Sequence, residues 1–201
     1  MVADGIYYAL AFAAGGGFVS YMTKPVFGVP LFVLAAFCLY FFRDPDREIP
    51  SGPVAVSPAD GKVVSIVRLS DTETRISIFL SVFDVHVNRT PVAGTVSSVV
   101  YQPGRFLVAS REQASTVNEM NTITVDGEGT RVVFKQIAGL IARRVVCWKK
   151  PGDKVALGER IGLIKFGSRT DVVFGPEWDI VVRMGERVAG GSSIIARRRN
   201  G

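Results

Sequence analysis

The first 42 residues of the chain differ sharply from the rest, and this contrast constrains the fold more than any other feature. They carry only two charged side chains, Asp4 and Lys24, and hold two apolar stretches of 17 residues, 6–22 and 26–42. Each stretch reaches the lower end of the length that crosses a hydrocarbon core as a helix. A polar turn separates them, so residues 1–42 are predicted to form an α-helical hairpin that anchors the chain in a membrane.

The flanks of this hairpin predict its orientation. Arg43 and Arg47 follow the second stretch, and basic residues beside a membrane segment favour the cytoplasmic side. Three glycines, 15–17, allow the two helices to approach closely. We therefore expect the protein at the cell membrane, with its remaining residues on the cytoplasmic face. Because both stretches are short, an interfacial hairpin that never crosses the bilayer is the alternative.

From residue 50 onward the sequence consists of short runs rich in Val and Ile, separated by Gly, Pro, Asp and Asn. This texture is typical of β proteins. The fold class is therefore predicted as mainly β, with a catalytic body over residues 43–201 behind the hairpin. Segment 113–119 is ambiguous because it is short and polar. The predicted strands are 61–69, 75–80, 94–102, 121–125, 130–137, 143–148, 160–164 and 178–182.

A weak internal repeat indicates the type of β fold. Residues 152–161 are echoed by 185–194, and each unit reads as a turn, a short strand, a turn and a strand. The shorter segments 59–63 and 93–96 share a glycine turn followed by a β-branched strand. Such patterns resemble the flattened β-sandwich of biotinyl and lipoyl carrier domains, the barrel-sandwich hybrid. A carrier needs a lysine at a hairpin tip, and no segment offers one clearly.

Charge and cysteine content narrow the possible functions. The net charge is +6, and none of it comes from the apolar hairpin, which favours an anionic membrane surface over nucleic acid as a partner. Two cysteines provide no material for a disulfide framework. One histidine without clustered cysteines leaves too few ligands for a metal site. We therefore expect neither a metal nor a nucleic acid.

Three polar segments between apolar strands carry the candidate chemistry. They place Asp60 in a tight turn, the single histidine His86 in an alternating run, and Ser168 directly after Gly167. Taken singly, a lone histidine is more often structural, and a turn aspartate often caps its own backbone. Together, an Asp, a His and a Ser in separate loops of one small β body can form an orienter, a base and a nucleophile. The residues alone indicate a membrane-anchored serine hydrolase, with a non-catalytic biotinyl-like carrier or adaptor as the alternative.

Four motifs in this order resemble the short-form phosphatidylserine decarboxylase proenzymes, which belong to the pyruvoyl-dependent decarboxylases. A single motif would be weak, whereas four in sequence behind a hairpin are specific. The resemblance covers nearly the whole chain. The motifs are FFRDPDR at 41–47, SPADGKV at 57–63, FDVHVNR at 83–89 and FGSRTDV at 166–172.

The resemblance implies that the chain makes its own cofactor. Ser168 Oγ would attack the carbonyl of Gly167, whose missing Cβ allows the strained geometry, and the peptide bond would become an ester. His86, oriented by Asp60, would remove the hydroxyl proton. Elimination would leave dehydroalanine, which loses ammonia to give a pyruvoyl group. The products would be two fragments that stay paired as a heterodimer, 1–167 and 168–201.

The resemblance also implies the reaction and the partner. The pyruvoyl ketone would form a Schiff base with the serine amine of phosphatidylserine in the membrane and accept electrons as carbon dioxide leaves, which yields phosphatidylethanolamine. Arg43, Arg47 and Arg169 are candidates for binding the lipid phosphate, because guanidinium groups form paired hydrogen bonds with phosphate. Longer members carry a further histidine where this chain has Arg89, which leaves His86 as the only imidazole for self-cleavage and decarboxylation.

Overall fold

The computed structural model describes five segments of the chain. The chain divides into two units, residues 1–46 and 47–201, each of which is described separately below. The described segments are 2–109, 112–127, 129–140, 144–165 and 167–199.

The first unit is the predicted helical hairpin, formed by α1 (Ala3–Met22) and α2 (Pro25–Phe41). Pro25 is the first residue of α2, a position where a backbone N–H has no partner within the helix and the fixed φ of proline is compatible with helix geometry. The helices are in close contact at Gly28, where an added Cβ would lie 2.4 Å from the carbonyl oxygen of Gly16. Of the three predicted glycines, only Gly16 takes part in this contact, because a Cβ added at Gly17 would meet no atom within 4 Å and one at Gly15 would make only an ordinary contact.

The expectation that this hairpin crosses the membrane is not supported. Within the described segments, no helix combines the length and the apolar character that a membrane span requires. The helix α2 has 17 residues, which corresponds to about 25 Å against a hydrocarbon core of about 30 Å.

The second unit is mainly β, as predicted. Its described part contains 14 strands and one short helix, and all strand pairs are antiparallel. In chain order these are β1 (Val54–Val56), β2 (Gly61–Arg68), β3 (Thr74–Leu80), β4 (Val87–Arg89), β5 (Gly94–Gln102), α3 (Ala114–Val117), β6 (Met120–Gly127), β7 (Thr130–Ile137), β8 (Val145–Cys147), β9 (Lys154–Val155), β10 (Arg160–Ile164), β11 (Ser168–Phe174), β12 (Trp178–Ile180), β13 (Arg187–Val188) and β14 (Ile194–Arg198).

The strands form one large sheet and two small ones. The large sheet has eight strands in the order β13-β2-β3-β11-β7-β6-β5-β9. The small sheets have three strands each, in the orders β1-β14-β12 and β4-β10-β8. One apolar core includes Ile78 of β3, Phe134 of β7 and Val172 of β11, so the middle of the large sheet has one face in the core.

The internal repeat corresponds to the two halves of the large sheet. Strands β2 and β5 both begin at a glycine with positive φ, Gly61 at 152° and Gly94 at 157°. An added Cβ at either position would lie within 2.4 Å of a carbonyl oxygen on the next strand. Both strands change register two residues later, and each pairs with a two-residue edge strand, β13 or β9. The halves meet where β11 pairs with β7.

Most predicted strands are present, and some bounds differ. Strands 94–102, 130–137 and 160–164 have the predicted bounds. The strand predicted at 143–148 is found as Val145–Cys147, and residue 143 lies outside the described segments. The sequence did not predict β1 or β4, and the ambiguous segment 113–119 contains the single-turn helix α3.

The serine motif was interpreted as a loop, and this interpretation was wrong. Residues Ser168–Phe174 form β11, which pairs along its length with β3 and over five residues with β7. Its polar residues follow the strand alternation, since Arg169 and Asp171 share one face and bind each other there. Phe166 of the motif lies outside the described segments.

Candidate active site

Ser168 is the first residue of β11 and lies opposite Leu80 of β3. Its side chain is fully buried, and no described residue offers its Oγ a hydrogen-bond partner. Burying a hydroxyl without a partner costs about 1–3 kcal/mol, so such an atom calls for an explanation other than stability. The unpartnered hydroxyl follows immediately after the predicted cleavage point.

Gly167 has a left-handed backbone conformation with φ of 57°, which glycine adopts without strain. Its carbonyl oxygen lies against the main chain of Gly139, because a Cβ added there would be only 2.0 Å from that oxygen. The predicted scissile carbonyl is therefore held by a close contact between two glycines. Nothing in the local sequence of Gly139 distinguishes it from the other glycines, so the sequence did not predict this contact.

We expect Gly139→Ala to slow self-cleavage. The new methyl group would displace the carbonyl of Gly167, and misplacing a reacting group by about 1 Å can slow a reaction by on the order of 10²-fold. The measurement is the half-time for appearance of the two fragments on a denaturing gel. Gly17→Ala is the control, because an added Cβ there meets no atom within 4 Å. An unchanged half-time for Gly139→Ala would contradict the assigned contact.

His86 is fully buried and contacts the same glycine. Its Nδ1 lies 2.9 Å from the main-chain oxygen of Asp84, and the N–H of Gly167 donates to its Nε2 over 3.3 Å. A carbonyl oxygen only accepts, so these partners assign the proton to Nδ1 and leave Nε2 unprotonated, with its lone pair accepting the N–H of Gly167. The geometry therefore places an unprotonated imidazole nitrogen beside the Gly167–Ser168 link, where a base is needed.

Asp84 orients this imidazole through its main chain, and its side chain fixes the surrounding loop. The carboxylate accepts hydrogen bonds of 2.8 Å from the N–H and the Oγ of Ser81, and it pairs with Arg187. The alternating sequence around His86 predicts Asp84 on the same face of a strand, but residues 81–86 precede β4 and form a turn, and the contact is made by a main-chain oxygen.

Asp60, the predicted partner of His86, has other contacts. Its carboxylate accepts two hydrogen bonds from Arg47, at 2.9 and 2.7 Å, and one from the N–H of Gly190 at 2.7 Å. The described hydrogen bonds therefore do not bring Asp60 to the imidazole. The reason is local, because Asp60 lies in the turn before β2 and binds the turn that follows β13.

The three arginines proposed for the lipid phosphate lie in different surroundings. Arg169 is 1% exposed and donates to Asp171 and Ser77, each over 2.6 Å, so it is not available at the surface. Arg47 is paired with Asp60. Arg43, in the first unit, donates to the carbonyl of Tyr40 over 2.9 Å, with its guanidinium 3.9 Å above that ring.

The face of β11 opposite Ser168 carries a network of charged groups. Ser115 of α3 donates to Asp171 over 2.6 Å, and Glu112 pairs with Arg75 and Arg169. Burial raises the pKa of Glu112, but hydrogen bonds and charge from the two arginines outweigh it and hold the pKa below its usual value. The ionised form of Glu112 therefore contributes to the stability of the fold.

We expect Glu112→Gln to lower the thermal midpoint at neutral pH. The loss is below about 1 kcal/mol because the side chain is largely exposed. A lowered pKa stabilises the fold above the ordinary pKa, and this contribution disappears as the pH falls through the folded-state pKa. The melting midpoints of variant and wild type should therefore differ at neutral pH and become equal at acidic pH. The exposed Glu73→Gln is the control, and a difference that persists in acid would contradict the assignment.

An apolar cavity of about 330 Å³ lies beside the candidate cleavage point. Gly167 forms part of its wall, and Val108 and Leu140 at the wall are exposed. The cavity thus offers an apolar surface next to the buried serine and imidazole. The other lining residues are Phe79, Ser81, Val82 and Ala109.

Comparison with known proteins identifies the class of protein to which this fold and site belong. The family model for phosphatidylserine decarboxylase matches residues 34–196. A phosphatidylserine decarboxylase proenzyme from Solibacter usitatus (strain Ellin6076) is 68% identical over 198 residues, or 98% of this chain and 97% of that protein. A second such proenzyme, from Desulfotalea psychrophila (strain LSv54 / DSM 12343), is 43% identical over 176 residues, 83% of this chain and 82% of that protein.

The chain belongs to the phosphatidylserine decarboxylase family. Members of this family are pyruvoyl-dependent enzymes, so the predicted family, enzyme class and cofactor are confirmed at that level. The match extends along nearly the whole chain, which does not favour a serine hydrolase or a carrier domain.

Proposed function

We propose that this protein converts phosphatidylserine to phosphatidylethanolamine and carbon dioxide after turning its own Ser168 into a pyruvoyl group. The observation that carries the proposal is the arrangement at one peptide bond. A buried, unpartnered hydroxyl follows a left-handed glycine whose N–H donates to the unprotonated nitrogen of His86. These are the nucleophile, the adaptable carbonyl and the base that self-cleavage requires.

The chain's own residues would carry out the cleavage. Ser168 Oγ adds to the carbonyl carbon of Gly167, and Nε2 of His86 accepts the hydroxyl proton. The C–N bond breaks as His86 returns the proton to the nitrogen, so the peptide becomes an ester and Ser168 gains a free amino group. Loss of the Cα proton then expels the Gly167 carboxylate and leaves dehydroalanine at position 168. Gly139 supports the first step by holding the carbonyl in place.

Ser168 would carry the resulting prosthetic group. The pyruvoyl ketone supplies an electron sink for the carbon–carbon bond that breaks when carbon dioxide leaves. His86 lies against the same position and would hold a proton for the product. Arg89 donates to the carbonyl of Gly158 over 3.0 Å, so its place in the motif is that of a buried structural cation, and His86 serves both phases.

The hairpin would bring the body to its lipid substrate. A diacyl lipid stays in the bilayer because each buried methylene contributes about 0.8 kcal/mol, so its head group must be reached at the interface. Many large apolar side chains of the hairpin are at least 60% exposed, which supports association with lipid. They include Tyr7, Leu10, Phe18, Tyr21, Val26 and Phe27.

The proposal also covers the orientation of the body and the pairing of the two fragments. The basic flank at Arg43 supports a cytoplasmic location of the body and a role for Arg43 near lipid phosphate. The matched glycine turns that lead into β9 and β13 support a barrel-sandwich-hybrid-like body. Pairing of the fragments 1–167 and 168–201 is supported by the position of β11 between β3 and β7.

Vesicles of phosphatidylserine labelled at the serine carboxyl test the function. Purified protein should release labelled carbon dioxide and leave phosphatidylethanolamine in the vesicle, and its small fragment should react with a hydrazine. A serine hydrolase would instead release a water-soluble or acyl product from an uncut chain. A carrier or adaptor would leave the lipid unchanged, and either result would refute the proposal.

A further inference from the structure

A layer of buried polar side chains lies on the same face of β11 as Ser168. Thr170 is two residues further along the strand, so its side chain points to the same side. It pairs across the sheet with Gln136 of β7. Gln136 donates to Oδ1 of Asn88 over 2.9 Å and accepts from Asn121 over 3.2 Å. The amides of β4, β6 and β7 thus meet next to Thr170.

Two further atoms of this layer have no partner among the described residues, Oγ1 of Thr170 and Nδ2 of Asn88. Both residues are fully buried. Apart from Ser168 Oγ, the only other such atom in the described segments is Nε of Arg75. An unpartnered hydroxyl and amide that share Gln136 as a neighbour are the type of site that a buried water occupies.

The layer is not explained by packing. Thr170 faces Ile78 across the strand pair and is followed on its own face by Val172. Valine has nearly the same shape as threonine and would leave no unsatisfied hydroxyl at this buried position. The polar atoms at 170 and 88 therefore cost stability, which suggests that they serve the chemistry at Ser168.

Maturation of Ser168 requires one water at a buried position. After elimination, the dehydroalanine at 168 becomes an imine when a proton moves from its amino nitrogen to the methylene carbon. Water then adds to the imine carbon, the C–N bond breaks, and one ammonia leaves as the ketone forms. The step consumes one water and releases one ammonia, without an oxidant or a reductant. Ser168 is fully buried, so the protein must provide that water locally.

We propose that Oγ1 of Thr170 and Nδ2 of Asn88 bind the water that hydrolyses the imine at position 168. The hydroxyl accepts or donates a hydrogen bond and the amide donates one, so together they hold the water oxygen and orient it. The proposal rests on the proposed function, because it concerns a step of pyruvoyl formation. Thr170 and Asn88 thus act in a step after chain cleavage, whereas His86 acts in the cleavage itself.

Thr170→Val is the test, because it removes the hydroxyl and keeps the shape. We expect chain cleavage at close to the wild-type rate but ketone formation about tenfold slower, since one hydrogen bond to the water is lost. Cleavage is followed on a denaturing gel. Because the imine is the species that waits for the water, the folded protein is reduced with borohydride, which converts an imine at 168 to alanine and a ketone to a lactyl group. Intact mass of the small fragment distinguishes the two products.

Three further variants make the result decisive. Thr170→Ser retains the hydroxyl and should restore ketone formation. Asn88→Asp keeps the acceptor for Gln136 but removes the free donor, so it should delay the ketone as well, and it serves as the test if Thr170→Val does not fold. Thr124→Val, at a threonine of β6 that bonds with Ser98, is the control.

The possible outcomes separate this proposal from the proposed function. Wild-type ketone formation in folded Thr170→Val would overturn the water site, as would a folded variant that fails to cleave. If the wild type itself showed neither fragments nor ketone, the proposed function would be refuted instead.

Discussion

Replacement of Ser168 by alanine is expected to leave the chain in one piece. The methyl side chain cannot attack Gly167, so no ester, no ketone and no decarboxylation follow. Intact mass should show the full 201-residue chain for Ser168→Ala and two fragments for the wild type. Alanine also removes a buried hydroxyl without a described partner, which should stabilise the uncut fold by about 1–3 kcal/mol.

The control for this variant is a serine of the same body with an ordinary hydrogen bond. Ser98 of β5 is partly buried and bonds with Thr124 over 3.0 Å, so Ser98→Ala should cleave normally. A Ser168→Ala protein that still yields two fragments would refute the assigned nucleophile. A single wild-type chain that releases carbon dioxide from phosphatidylserine would refute the pyruvoyl mechanism.

His86→Ala is expected to slow self-cleavage by on the order of 10²–10⁴-fold, the usual contribution of a general base. The variant removes the only imidazole of the chain and the acceptor of the Gly167 N–H. The rate constant for fragment appearance is measured after refolding from denaturant. Added imidazole should restore part of the rate, because it supplies the missing base without restoring the fold contact.

Asp60→Asn is the informative companion of this variant. The carboxylate binds Arg47 and Gly190, and the imidazole is oriented by the carbonyl of Asp84. We therefore expect Asp60→Asn to lower the thermal midpoint while self-cleavage stays within a few-fold of wild type. Equal losses of cleavage rate in Asp60→Asn and His86→Ala would show that Asp60 acts on the base, as the sequence motif first suggested.

The parts of the fold that sequence predicted best are those with a simple periodic signal. The strands at 94–102 and 130–137 have β-branched residues bounded by turn residues, and their limits agree with the structure. The glycine-turn repeat also corresponds to equivalent positions, because the first strands of its two units, β9 and β13, form the two edges of the large sheet. These features depend on local chain properties, which a single sequence carries.

The sequence did not predict the strand β11, because its charged residues are paired with residues that are mostly distant in the sequence. Arg169 and Asp171 read as a solvated loop, yet both are buried and bind each other, Ser77 and Ser115. The local sequence does not indicate these contacts, because they form only when β3 and α3 come together with β11.

The sequence predicted which candidate residues lie together, but it did not predict the groups that hold them in place. Ser168, Gly167 and His86 lie together, as the motifs indicated. The orienting group is a main-chain oxygen of Asp84, and the contact that holds the carbonyl is a glycine at 139. Main-chain oxygens and close backbone approaches leave no residue-type signal, so only the assembled fold shows them.

The position of β11 in the middle of the large sheet has a consequence for the lifetime of the enzyme. If the bond before Ser168 is cut as proposed, four strands needed for the fold, β11 to β14, would belong to a separate 34-residue peptide (168–201). Refolding a denatured mature molecule would then be a second-order reaction between two chains, whereas the precursor would fold in a first-order reaction. Each molecule therefore has one concentration-independent opportunity to fold, and loss of the mature state on heating should be governed by its unfolding rate.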